Sequence, residues 1–314
     1  MTKKLFAVAA MTLVALSTQA GTAQDARMGA GQQGSQNFGV NASLAQALTD
    51  RTSLDISVQS FGGPAAYLPL LQSGELDVAA AVMPDVGDAI RGRGPFDGQP
   101  MDQLVLLASM FPSPVGMMVA DDSGIETIAD LQGQRVAWGL PAQASLLPYV
   151  EGSLANGGLT LDDVELVPVT SVGAGVDELI AGRVDATLFA LRAGKVVEAD
   201  SALGGVRWLP YDASDEAVAA MQDVASEAYL VDVSADDGVI GIASDMPTMA
   251  YDYALVVGAH VPDDVVQAIV DALADDPAGI SETSPVLGSL DPDNFIRAYP
   301  GLIYHPIAEA TLSN

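Results

Sequence analysis

Gly74-Glu75-Leu76-Asp77-Val78-Ala79-Ala80-Ala81 and Gly182-Arg183-Val184-Asp185-Ala186-Thr187-Leu188-Phe189 are two copies of one pattern: glycine, a variable residue, an aliphatic, aspartate, then a mostly aliphatic run. Each copy follows a helix-like stretch, Ala65 to Gln72 and Val176 to Ala181. The glycine then sits where a helix ends in a left-handed cap, and the run after it is long enough for one buried strand. Aliphatic strands buried on both faces belong to parallel sheets wrapped by helices. Two copies predict two α/β lobes of similar build. Ligands of such sheets sit beyond the carboxyl ends of strands, so the segments after Ala81 and Phe189 are expected to face a cleft between the lobes.

The first 23 residues read as a targeting leader. Lys3 and Lys4 supply a basic start, Leu5 to Leu16 an apolar run, and Gly21-Thr22-Ala23 the small residues of a cleavage site. Cleavage after Ala23 leaves Gln24 at the mature terminus, and the expected location is the periplasm. The apolar run falls short of the ~18 residues that would read as a membrane span, and no later stretch reaches that length. The chain has no cysteine, which removes disulfides, thiolate metal sites, cysteine nucleophiles and a lipid-anchored terminus. Two histidines, His260 and His305, leave little for a zinc site or histidine-based acid–base chemistry. Lys3 and Lys4 are the charged residues of the leader, so their loss takes the formal charge from −29 to −31. That argues against nucleic acid or an anionic membrane as partner. No cofactor and no metal are expected, and the mature chain is read as a monomer.

Leu54 to Val58 alternates as a strand, and Leu104 to Ala108 and Val115 to Val119 read as two further strands around Pro112 and Pro114. Strands over Glu165 to Val169 and Tyr251 to Ala259, and helices over Phe38 to Thr49, Ser214 to Val224 and from Pro262 onward, complete the pattern. No linker interrupts the mature chain. The lobes are therefore expected to join through crossing strands near Pro112 to Val115 and Thr248 to Asp252. Lobe 1 is then 24–112 with 253–314, and lobe 2 is 113–252.

Three glycine-containing loops fall at strand-to-helix junctions, where free backbone N–H groups favour an anion. The first, Gly29-Ala30-Gly31-Gln32-Gln33-Gly34, matches the dinucleotide fingerprint by letter. The strand after it ends in Gln59-Ser60, without the acidic residue that would hold a ribose, so dinucleotide binding is set aside. Gly34, Ser35, Gln36 and Asn37 are instead expected to face a small anion. Ser60-Phe61-Gly62-Gly63 is the second loop and Gly139 to Ser145 the third, contributing Gly62, Gly63, Pro141, Gln143, Ala144 and Ser145. Phe189 ends the second aspartate strand, and Arg192 follows it where a guanidinium could take a carboxylate in bidentate fashion. Asp77 and Asp185 sit at strand entries and read as structural; Met83, Met117 and Met118 read first as packing.

In this order, Gly29 to Asn37, Ser60-Phe61-Gly62-Gly63, Leu71 to Asp77, Arg93-Gly94-Pro95-Phe96, Asp130 to Val136, Ala181 to Ala186, Asp245-Met246-Pro247-Thr248 and Leu302 to Pro306 resemble the TAXI family. These are extracytoplasmic solute-binding proteins of tripartite (TRAP) transporters, and the resemblance spans nearly the whole mature chain. It implies a two-lobed periplasmic binding protein fold of type II character, each lobe a mostly parallel sheet flanked by helices. It also implies a non-enzymatic receptor that binds a small organic anion, glutamate-like or a dicarboxylate, and hands it to a TRAP permease subunit. The chain departs from the family pattern at Asn37-Phe38, Val82-Met83-Pro84-Asp85, Pro141-Ala142-Gln143-Ala144 and Arg192-Ala193-Gly194. All are pocket positions, and Met83 joins the expected ligand set on this ground. A secreted enzyme on the same fold, or a receptor for a sensor protein, are the alternatives.

Overall fold

The computed structural model describes residues 24–33, 35–288 and 290–313, with the side chains of Ala142 and Val286 also outside the description. The expected leader, residues 1–23, and Gly34 lie outside it. Strand and helix alternate from the start: β1 (Gln24–Ala30), α1 (Gln36–Arg51), β2 (Leu54–Ser60), α2 (Pro64–Ser73), β3 (Val78–Val82) and α3 (Met83–Arg91). After β4 (Leu104–Ala120) come β5 (Arg135–Trp138), α4 (Leu147–Asn156), β6 (Glu165–Pro168), α5 (Val172–Ile180) and β7 (Thr187–Ala190). Then follow α6 (Lys195–Leu203), β8 (Val206–Trp208), α7 (Asp215–Val224), β9 (Tyr229–Val233) and β10 (Met246–Gly258). Three helices close the chain, α8 (Asp263–Asp275), α9 (Pro277–Glu282) and α10 (Pro306–Leu312).

The repeated pattern folds the same way twice. Gly74 caps α2 at φ 80° and Gly182 follows α5 at φ 67°, both left-handed, and β3 and β7 come next. Each motif aspartate holds a strand that neighbours its own. Arg27 of β1 donates its backbone N–H (2.7 Å) and two guanidinium N–H groups (2.9 Å each) to Asp77, and a further bond to the Gly74 carbonyl (3.0 Å). Arg135 of β5 repeats the set on Asp185 and the Gly182 carbonyl. Each clamp ties glycine cap, aspartate and neighbouring strand into one unit.

One sheet runs through both lobes in the order β2-β1-β3-β10-β4-β7, with β8 paired to β4 and β9 to β10. Pairing is parallel for β1–β2, β1–β3 and, in a separate pair, β5–β6. β10 runs antiparallel to β3 and β4, and β7 and β8 antiparallel to β4, so the sheet is mixed. The two strands expected around Pro112 and Pro114 are one strand of 17 residues. Its partner β10 starts at Met246, five residues before the expected Tyr251. Pro112 and Pro114 lie in register opposite Asp252 and Ala250, and the register shifts of this pair fall beyond them, between Tyr253 and Ala254 and between Leu255 and Val256.

The cores divide at this crossing. One is built from residues between Val115 and Tyr251. Two others cover the faces of the remaining sheet, and β3 and β10 alternate between them: Val78, Ala80, Leu255 and Val257 point to one, Ala79, Ala81, Ala254 and Val256 to the other. On the β10 face opposite Tyr251 and Tyr253, Asp252 (2% exposed) accepts hydrogen bonds from Ser109 (2.6 Å), Tyr229 and Tyr299. The Arg297 Nε lies 3.1 Å from it and the guanidinium 3.9 Å over the Tyr229 ring, so the buried charge is neutralised on the spot.

Candidate functional site

β3 ends where the cleft begins, and α1 fixes that end. Pairing with β1 stops at Gly29↔Ala79, leaving the Ala80 backbone without a strand partner on that side. The buried Asn41 side chain replaces it, accepting from Ala80 N–H (2.7 Å) and donating to the Ala80 carbonyl (2.9 Å). One helical turn earlier Asn37 donates to the same carbonyl (3.0 Å) and accepts from Gly31 N–H (2.7 Å). Ser35 caps α1 by accepting from Phe38 N–H (3.1 Å). The first glycine loop is thereby held against β3.

A chamber of about 390 Å³ lies between the lobes at the carboxyl ends of β3 and β7, within the ~300–1,000 Å³ usual for small-molecule sites. Lobe 1 contributes Ser35, Gln36, Asn37, Val82 and Asp85; lobe 2 contributes Gln143, Ser145, Leu188 and Phe189; the crossing strands contribute Val115, Tyr251 and Tyr253. A second chamber of about 480 Å³ adjoins it and is lined by Gly31, Ser35, Asn37, Gly62, Gly63, Gln143, Ala144 and Ser145. The three glycine-containing loops thus meet around one space.

Other expected residues fall elsewhere. Met83 is fully buried in a core with Tyr67 and Leu71, because the first turn of α3 turns that side chain away from the cleft. Pro141 is exposed at the start of a 3₁₀ segment and lines neither chamber. Arg192 lines a third space of about 690 Å³ with Gln36, Ser113 and Asp237. Its guanidinium is 3.5 Å from the Asp237 carboxylate, with side chains 57% and 45% exposed, so this is a solvated surface pair outside the central chamber.

Asp85 was not among the expected ligand residues, although it ends the departing segment Val82 to Asp85. It occupies the first turn of α3, where a helix dipole favours negative charge. Ser145 (3% exposed), from the opposite lobe, donates to Asp85 Oδ1 at 2.5 Å. The carboxylate keeps part of its surface on the chamber but is otherwise enclosed. Burial pushes its pKa up to about 6 against the pull of the Ser145 hydrogen bond, and Asp88 on the same helix adds to the rise. Tyr251 and Tyr253 were legible only as strand residues. Alternation on β10 sends both into the cleft, where Tyr253 stacks on Phe111 (5.0 Å) and Tyr251 meets Tyr149 edge-on (5.1 Å). A second contact between lobes is the ion pair of Arg91, at the end of α3, with buried Glu227.

The loop from Gly139 to Ser145 carries backbone strain beside the site. Leu140, buried, has φ 33° in the left-handed region, and Gln143 departs from helical geometry inside the 3₁₀ segment. Gln143 is held from the far side by Val172 N–H (3.2 Å), which joins the loop to the start of α5. Among the described residues no helix is long and apolar enough to cross a membrane, and no group of three His, Asp or Glu is placed to hold a metal ion.

Comparison with known proteins gives a family and a fold. The model of the NMT1-like family matches residues 28–312. The periplasmic aliphatic sulphonate binding protein SsuA of Escherichia coli is 17% identical, with 84% of this chain and 78% of that chain covered and a TM-score of 0.51. PhnD1 of Prochlorococcus marinus, solved with methylphosphonate, is 11% identical over 88% and 93% of the two chains, with a TM-score of 0.55. The probable amino-acid ABC transporter extracellular-binding protein ytmK of Bacillus subtilis is 15% identical over 83% and 96%, with a TM-score of 0.53. The two-lobed periplasmic binding protein fold is common to all three. The resemblance to the TAXI receptors of TRAP transporters is corrected by these findings: the matching family is the NMT1-like one, and its structural neighbours are SsuA- and PhnD-type binding proteins.

Proposed function

This chain belongs to the NMT1-like family, and from that premise we propose that it is an extracytoplasmic receptor that holds a small organic solute between its lobes and passes it unaltered to a membrane transporter. The carrying observation is the chamber itself. Two lobes strung on β4 and β10 face each other across it, and Asp85 of one side is bonded to Ser145 of the other. A solute that replaces or strengthens such cross-cleft contacts shifts the lobes toward closure. The lobes divide at 112/113 and 252/253, and the receptor acts as a monomer. Names of structural neighbours that include ABC transport support an ABC-type permease as its partner. Among the described residues of the central chamber the ionisable groups are Asp85, Tyr251 and Tyr253, a set suited to holding a ligand rather than to paired acid–base work.

The test is recovery of the bound solute. Protein purified from its own periplasm, then denatured and extracted, should release one small molecule. Added back to stripped protein, that molecule should reduce the radius of gyration in solution scattering and return chemically unchanged. A chemically altered product would identify an enzyme instead.

A further inference from the structure

We propose that the solute carries a protonated amine on a largely apolar body, with Asp85 as its counter-charge; the inference rests on the receptor reading above. Four observations carry it. Asp85 opens on the central chamber, and among the described residues its carboxylate accepts a single side-chain hydrogen bond, from Ser145 at 2.5 Å. A carboxylate offers about four acceptor sites, so this bond leaves most of its capacity unfilled, and Asp85 lines both adjoining chambers. No lysine or arginine lines that chamber among the described residues; Arg192 stands in the adjoining space, already beside Asp237. An enclosed carboxylate without a cationic partner is costly, and a ligand ammonium would remove that cost.

The rest of the wall fits the remainder of such a molecule. Tyr251, Tyr253 and Phe189 present aromatic surface beside Val82, Val115 and Leu188. Aromatic faces near a desolvated ammonium add cation–π attraction. Asn37 and Gln143 lie at the sides with amide groups partly spent on Gly31, Ala80 and Val172. They orient the ligand without supplying charge. A dicarboxylate in this chamber would meet Asp85 with like charge, and the expected anion anchor, Arg192, is not in its wall.

Charge linkage gives the test its sign. The groups facing Asp85 are Asp88 on α3, Tyr67 on α2, Tyr251 and Tyr253 on β10, and Ser145 on the opposite loop. Burial raises the pKa of all three tyrosines, which keeps them neutral at working pH. Asp85 is therefore the group that changes charge near pH 6. An alkyl ammonium, like lysine, stays protonated to about pH 10. Affinity for an amine should rise as pH climbs through about 6, whereas affinity for a carboxylate should fall.

Phenethylamine and 3-phenylpropionate, similar in shape and opposite in charge, are the matched probes. Calorimetry on stripped full-length protein should show the amine binding and the carboxylate not. The amine should bind at least tenfold more tightly at about pH 7.5 than at about pH 5. Asp85→Asn should weaken the amine by roughly thirtyfold or more, the lower end of the loss expected when one partner of a buried charge pair is removed. The wild-type pH profile decides the matter if that variant does not fold. Binding of the carboxylate in preference to the amine, or of neither, overturns the inference. The receptor reading is judged separately, by whether any extracted solute rebinds and contracts the molecule.

Discussion

Arg27 holds Asp77 by backbone and side chain together, so the carboxylate fixes both the path of β1 and the conformation of the arginine that reaches the Gly74 carbonyl. Burial works to raise the Asp77 pKa, but the bonds from Arg27 outweigh it and hold the carboxyl below its ordinary 3.8; Asp185 is lowered in the same way by Arg135. A carboxyl lowered by folding contributes stability above its ordinary range and loses it as pH falls through the folded value. Asp77→Asn should therefore cost about 1–2 kcal/mol near pH 7, since the arginines are partly solvated. The deficit should shrink as pH falls past the ordinary carboxylate range and through the lowered folded value. Urea unfolding at several pH values measures it; a deficit independent of pH would mean that Asp77 acts by shape alone.

Gly182 tests the conformational half of the same motif. At φ 67°, an added Cβ would meet no atom within 4 Å, so substitution probes backbone preference without a clash. Gly182→Ala should lower stability by about 1 kcal/mol, and Gly182→Asn by less, because asparagine tolerates the left-handed region. Equal losses from both would point to a role beyond φ.

Arg91 and Glu227 carry a contact that exists only while the lobes meet on that side. Glu227 is 7% exposed and receives further bonds from Ser226 (3.0 Å) and Tyr149 (3.4 Å). Arg91→Met should destabilise by roughly 3 kcal/mol by leaving that carboxylate buried without its cation. Adding Glu227→Gln should restore most of the loss. Additive losses in the double variant would show that the two residues are not coupled.

Net charge gives a solution-level expectation. With a formal charge of −29 on the whole chain, self-repulsion should be relieved by salt. The melting temperature should rise between about 10 mM and 1 M salt, as the Debye length falls from about 30 to about 3 Å. A flat curve would show that paired residues such as Arg207 with Asp121 and Lys195 with Asp177 already disperse the field.

The glycine–aspartate pattern was the readable part of this fold because its physics is local. A left-handed cap and a buried run need nothing beyond their own neighbours, so α2, β3, α5 and β7 followed from it. The convergence of the glycine-containing loops also followed, since strand-to-helix junctions of such sheets share one edge. The 17-residue β4 did not follow, because Pro112 and Pro114 read locally as breaks, and only the long-range pairing with Asp252 and Ala250 of β10 carries one strand through them. Asp85 was hidden for a related reason. An aspartate after Met83-Pro84 reads as an ordinary helix start, and only the opposing lobe encloses it as a carboxylate that has no cationic partner among the described residues. The family was misjudged because short motifs common to many two-lobed receptors do not tell one lineage from another.

The position of β10 has a consequence for how the chain is made. It lies between β3 and β4 in space but follows both by more than a hundred residues in sequence. During synthesis β3 and β4 each wait with an unpaired edge, the kind of surface that recruits other chains. The segment between them can collapse early, while the β10 strip arrives near the end and seals both edges at once. Damage to β10 should therefore harm the yield of folded protein before it harms the affinity of the molecules that do fold.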